Sequence, residues 1–275
     1  SVFRGGFTVM QFTAKHVIGA ALLASVAAPA VGLAAGGGFV GLGAGMVPDY
    51  EGSDDYEATP VLFGRYQWEG GRYVDLGGAP STGRAVRLSA NLLPKNSEPT
   101  WTLGPLLQYR MKRDDVDNNK VDKMQQVDAT AEAGAFVGLK NGPWEADLSF
   151  AGDVGSEYDG YLVYLSGAYN RKINDKLSLK FGARTTYADD NYMDTYFGVS
   201  GSDATRSGLK KYSADGGMKD WGLNLTANYA INDSWGMTGI LSYSRLLGDA
   251  EDSPLVNDVG NENQYGATLA LTYKF

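Results

Sequence analysis

Ten charged side chains sit at alternate positions among apolar or small neighbours, and that spacing is the first clue to chemistry. Arg65, Arg87, Arg110, Lys180, Arg184 and Lys274 supply cations; Asp128, Glu132, Glu145 and Asp147 supply anions. Period-two placement puts each on one face of an extended strand, opposite an apolar face. A face carrying both signs can line an aqueous channel, or pair across a narrow interior and fill it. The spacing allows both.

Other chemistries find little support. The only histidine is His16, near the start of the chain, and there is no cysteine. Past residue 16 the usual general base near neutral pH is missing, and so are thiol nucleophiles, disulfides and zinc–thiolate sites. No G-x-S-x-G elbow occurs; Gly198–Ser202 reads GVSGS and lacks the last glycine. Carboxylates alone can hydrolyse glycosides, but 32 acidic residues single out no pair. Gly36, Gly38 and Gly41 match G-x-G-x-x-G with no strand before them and no helix after. Asp115, Asp117 and Asn119 open like a calcium loop, then place Lys120 at the obligatory glycine and Gln126 at the bidentate glutamate. We therefore expect no catalytic residue, no metal site and no cofactor. A net charge of −8 also argues against nucleic acid as a partner, since phosphate binding needs a basic footprint.

The elements that carry these charges are strands. Leu177, Leu179, Phe181, Ala183, Thr185 and Tyr187 share one face; Ser178, Lys180, Gly182, Arg184 and Thr186 share the other. Trp221–Ile231, Trp235–Tyr243, Tyr161–Tyr169 and Trp144–Phe150 repeat the pattern, and Gln264–Phe275 alternates to its last residue. Aromatics begin or end many apolar faces, as at Trp144, Tyr187, Trp221, Trp235, Tyr243 and Tyr273. Ten-residue alternating segments flanked by interfacial rings describe an all-β transmembrane antiparallel up-and-down barrel in contact with outer-membrane lipid. Strands are predicted near 38–47, 57–68, 71–78, 84–93, 100–111, 126–140, 143–153, 158–170, 176–188, 219–231, 234–246 and 263–275, twelve in all. A weak 71–78 segment leaves ten as the other count.

Loop lengths alternate too. EG near 69–70, KNSEP, NG at 141–142, RKIND and ND at 232–233 are short; PDYEGSDDY, KRDDVDNNKVDKM, the stretch 189–219 and GDAEDSPLVNDVGNEN are long. Outer-membrane barrels keep short turns and both termini on the periplasmic side. The last strand should therefore pair with the first, whose glycines suit close approach at that seam. At the other end, Arg4, Lys15 and His16 precede the apolar run Val17–Ala28 and the small-residue site Ala28-Pro29-Ala30. Residues 1–34 are thus expected to be a secretory signal peptide with an upstream extension, cleaved after Ala30 or Ala34, and 35–275 the barrel.

Four stretches add a resemblance. Pro48–Pro60 (PDYEGSDDYEATP), Tyr196–Val199 (YFGV), Ser207–Asp220 (SGLKKYSADGGMKD) and Arg245–Val256 (RLLGDAEDSPLV) resemble the MipA/OmpV family of outer-membrane proteins, in that family's order. The likeness runs roughly from Gly37 to Phe275. It implies a barrel in the outer membrane of a Gram-negative bacterium and a scaffolding role. Similar proteins bind a membrane-bound lytic transglycosylase and a bifunctional peptidoglycan synthase; others are porin-like or act in adhesion. Pro48, Asp49, Tyr50, Glu51, Gly52, Tyr196, Phe197, Gly198, Ser207, Gly208, Leu209, Tyr212, Asp220, Asp252, Ser253 and Pro254 carry the matching motifs. Turn formers and aromatics among them are expected to fold over the outer mouth as one lid, with a binding role or a purely structural one.

Overall fold

The computed structural model describes residues 36–79, 84–95 and 97–275. The segment expected to be a signal peptide, residues 1–34, lies outside these residues. Among those described, twelve antiparallel strands close into one barrel, each pairing with its chain neighbours and the last with the first. In order they are β1 (Gly37–Pro48), β2 (Tyr56–Gln67), β3 (Tyr73–Gly78), β4 (Ala85–Asn91), β5 (Thr100–Arg110) and β6 (Thr130–Asn141), then β7 (Trp144–Asp153), β8 (Tyr161–Lys172), β9 (Leu177–Ala188), β10 (Gly217–Ala230), β11 (Trp235–Leu246) and β12 (Asn263–Lys274). The count of twelve holds over ten. No helix among the described residues is long and apolar enough to cross a membrane.

Closure follows from sequence. β1 pairs with β12 from Phe39↔Lys274 to Met46↔Ala267, and Gly38 and Phe275 exchange backbone bonds of 2.9 and 3.0 Å. No unpaired N–H row remains at this seam, as hydrocarbon demands. The inward face of β1 is Gly41, Gly43 and Gly45, and the Phe63 ring of β2 lies directly over Gly41, where a Cβ would come within 2.2 Å of it. Phe39, Val61, Phe63, Ile240 and Ala270 thus fill one wall of the interior.

Outside, the apolar faces stand exposed. Leu42 is 65% exposed, Leu241 60% and Leu269 59%, a belt that would be unstable in water and suits lipid. Paired rings flank it at both ends. Trp144–Tyr169 (4.7 Å), Trp235–Tyr273 (4.9 Å) and Tyr66–Trp68 (5.0 Å) lie near the short turns; Phe150–Tyr161 (5.4 Å), Trp221–Tyr243 (5.5 Å) and Tyr243–Tyr265 (5.4 Å) lie near the long loops. These are the two interfacial girdles, and they fix the barrel's depth.

The long loops are not irregular. The 189–216 connection holds α1 (Asp190–Phe197) and α2 (Gly201–Ser207); the 247–262 connection holds α3 (Asp249–Asp252) and α4 (Pro254–Asn257). Asp189 caps α1 by accepting from the Tyr192 N–H, and Ser200 caps α2 by accepting from the Asp203 N–H. Gly208 ends α2 with φ +75°, a conformation that favours glycine.

Candidate functional site

The interior has two levels: a packed seal under the long loops and an open cup beneath it. The seal begins with a bulge. Between Met218 and Asp220 the β9–β10 register shifts by one residue. Met218 and Trp221 stay on the lipid face, 48% and 37% exposed, while Lys219 and Asp220 both turn inward and are fully buried. Strict alternation would have placed Lys219 in lipid. Its ammonium contacts Glu51 from the β1–β2 loop and lies 2.7 Å from Asp220. Asp220 is also 2.9 Å from Arg184, and the Tyr192 hydroxyl donates to Glu51 at 2.7 Å.

A second buried knot adjoins the first. Arg110 Nε donates to Glu132 at 2.5 Å, and its Nη atoms donate to the Tyr192 and Tyr164 hydroxyls at 3.1 and 3.2 Å. Tyr158 and Gln108 also donate to Glu132, at 2.8 and 2.5 Å. A buried charge is tolerated when it is paired and its remaining sites are bonded, and both conditions hold here. Burial pushes the Tyr192 hydroxyl well above its ordinary value, with nearby Glu51 adding to the rise, so it remains a donor. Burial likewise raises Tyr158 and Tyr196.

The four motif stretches meet above these knots. Pro48 ends β1. Asp49 accepts the Asp117 N–H at 2.8 Å, and Tyr50 donates to the Leu255 carbonyl at 3.4 Å. Gly52, at φ +99°, donates to Gln264 at 3.2 Å. Tyr196 and Phe197 close α1, with Gly198 as its cap; Arg113 donates to the Tyr196 carbonyl at 2.7 Å and Ser253 to the Phe197 carbonyl at 2.6 Å. Ser207 donates within α2, Leu209 packs against Tyr50 and Leu255, and Tyr212 donates to the Asp249 carbonyl at 3.0 Å. Ser253 and Pro254 start α4, while Asp252 stays exposed at the end of α3. Most of their polar atoms are bonded within the loops or to the wall beneath, the Tyr196 hydroxyl being a buried exception, and this makes them the frame of a lid. Asp220 lies apart from the lid: as the predicted 219–231 strand implies, it is a wall residue of β10 on the inward face of Gly222 and Asn224, and the bulge turns Lys219 in beside it.

The cup lies below. Its cavity, about 810 Å³, is lined mainly by the short-turn halves of the strands and by the β4–β5 turn, and it reaches Gly78, Arg87 and Arg184 nearer the seal. Arg65 pairs with Asp75 at 2.7 Å; Lys180 and Lys140 share Glu145 at 2.8 and 3.5 Å. Arg87 donates to Gln108 at 2.6 Å and Ser149 at 3.2 Å, both neutral. Asp147 and Lys274 also line the cavity. Of the ten charges expected in the lumen, Arg110 and Glu132 belong to the seal and Arg184 joins the two levels. Asp128 is a correction. It precedes β6, is exposed, and donates its N–H to Glu157 at 2.9 Å, because Val127 makes only an isolated bridge to Arg113 and the strand begins at Thr130.

Several contributors escaped the sequence reading: Lys219, Tyr192, Tyr164, Gln108 and Asp75. Only Lys219 left a readable trace, the break in alternation across Met218-Lys219-Asp220-Trp221. No cluster of three acidic residues among those described could hold a metal.

Comparison with known proteins fits this architecture. Residues 40–275 match the family model described as MltA-interacting protein MipA. A putative outer membrane protein, YiaT of Escherichia coli K12, is 28% identical over 172 residues, 62% of this chain and 63% of that protein. The MltA-interacting protein of the same strain is 29% identical over 128 residues, 46% of this chain and 49% of that one. The matches thus span about half to three fifths of these relatives' lengths. Among solved structures, the NanC porin aligns over 86% of this chain and all of its own with 11% identity and a TM-score of 0.45, too loose a likeness to argue from.

Proposed function

The chain belongs to the MipA family of MltA-interacting proteins, an outer-membrane barrel by fold and location, and from that premise we propose that it is a non-catalytic scaffold whose working side is the periplasm. Its partners in this reading are peptidoglycan-remodelling enzymes, a lytic transglycosylase and a bifunctional synthase. One observation carries the orientation. The outer half of the interior is a packed, charge-paired seal, and the accessible half faces the short turns.

The short turns offer a surface for such partners. Ile173 and Ile231 stand 47% and 43% exposed at the tips of the β8–β9 and β10–β11 turns. The two turns share a sequence, Ile-Asn-Asp, and a bonding pattern: Asn174 and Asn232 each accept two backbone N–H groups at 2.8–3.0 Å. Preformed, exposed and close in the strand order, these tips cost little entropy to engage.

A small-solute pore is the weaker reading, because conduction would require the sealed outer half to open. Adhesion would use the outer face of the lid, where most polar atoms of the framing residues are already bonded within the loops or to the wall. The test is a pull-down of the tagged barrel from cross-linked envelopes, with another outer-membrane barrel as control. Specific recovery of a lytic transglycosylase, lost on Ile173→Asp with Ile231→Asp, is the expected result. Equal recovery on the control barrel would remove the scaffold reading.

A further inference from the structure

We propose that the cup is itself a binding site, entered from the periplasm, for a small hydroxyl-rich solute bearing one or two carboxylates, an acidic sugar in chemical class. Its volume, about 810 Å³, is that of a small-molecule site and not of interstitial packing. Among the described residues its floor is the seal, and it opens toward the short turns.

The wall chemistry sets the ligand. Arg65, Arg87, Lys140, Lys180, Arg184 and Lys274 line the cavity; their carboxylates are Asp75, Glu145, Asp147 and, behind Arg184, Asp220. Lys95 and Glu98 at the rim cancel. The cup is therefore cationic by two charges inside a chain of net charge −8. A local sign opposite to that of the whole molecule, enclosed by low-dielectric walls, concentrates anions.

The excess is localised. Two lysines share Glu145, and neither Arg87 nor Lys274 has a carboxylate within ion-pair distance among the described residues. Arg87 is held by Gln108 and Ser149 and lies 5.0 Å from the Tyr164 ring, so it is oriented without being neutralised. A guanidinium fixed in this way is well suited to a carboxylate oxygen. Ser89, Thr102, Ser166 and Asn224 add neutral polar groups for hydroxyls. A phosphate dianion would call for several unpaired arginines or a helix N-terminus; of the wall's arginines, Arg65 and Arg184 are held by carboxylates, and no helix residue lines the cavity.

The test is a ligand-observed saturation-transfer titration of the whole refolded barrel with glucuronate and with glucose, two sugars that differ at one carboxylate. Glucuronate should bind at least about tenfold tighter than glucose, and Arg87→Gln should remove about that factor, the worth of one charged hydrogen bond. Asp147→Asn removes the opposing wall charge and should tighten glucuronate, while Lys274→Gln should weaken it. Asp147→Asn and Lys274→Gln keep the test decisive if Arg87→Gln does not fold. Equal binding of both sugars, no saturable binding to the folded barrel, or weaker glucuronate binding by Asp147→Asn would overturn the proposal.

Discussion

At the scale of single residues, Lys219 bears the largest electrostatic responsibility. Fully buried, it sits between Glu51 and Asp220 and so ties the first loop to the barrel wall. Lys219→Met leaves two carboxylates facing each other with one cation fewer. The cost should be about 3–5 kcal/mol, the usual price of breaking a buried pair. It should appear as a lower urea midpoint for the barrel in micelles; an unchanged midpoint would mean that the seal stands without its cation. Asp49 gives the lid a pH dependence. Burial lifts its pKa from 3.8 to about 6, Glu57 adding to the rise while the Asp117 N–H and Arg84 oppose it. An acid whose folded pKa lies above its unfolded one holds its proton more tightly when folded. It contributes stability below pH 3.8 and loses that contribution as pH rises through 6. The protection factor of the Ser53 amide, bonded to the Tyr50 carbonyl at 3.0 Å, should therefore fall from pH 4 to pH 7, and Asp49→Asn should flatten the change. A rise with pH would contradict the assignment.

At the scale of elements, the strands were legible and the devices that bend their rules were not. Alternation located all twelve strands because lipid on one side and polar groups on the other enforce period two. It missed the β10 bulge, since a single inserted residue looks like one polar pair in a polar stretch. It missed α1 and α2 because helices of 8 and 7 residues carry too few turns to establish a 3.6 period. Asp128 was drawn into the lumen by parity alone, although the strand that would have pointed it inward starts two residues later. The glycines of β1 do allow close approach at the seam, where a Cβ on Gly43 would meet Leu269 and Ala270 of β12; Gly41 makes room on the other side, for Phe63 of β2, and that contact can be tested. In Gly41→Ala the new Cβ would lie within 2.8 Å of three Phe63 ring atoms. Overpacking of this kind costs about 1–3 kcal/mol. The loss should show as a lower temperature for the loss of heat-modifiable mobility, and adding Phe63→Leu should recover part of it. If the double variant is no better than the single, the strain lies elsewhere.

At the scale of the molecule, the barrel is a cup with its floor toward the outside. The sequence carried the closed barrel, its membrane belt and its two girdles, because each rests on repeated local patterns. It could not tell a filled lumen from an open one. That distinction depends on which charges meet across the interior: Arg110 with Glu132, and Lys219 with Glu51, pair residues 22 and 168 positions apart. The same inward charges that suggested a channel turn out to be divided between a seal and a wall. The most direct test is single-channel recording of the purified barrel in a planar bilayer. The wild-type barrel should show no steady conductance, and replacing residues 189–216 with a two-residue turn should produce long openings. A steady open conductance in the wild type would contradict the sealed cup.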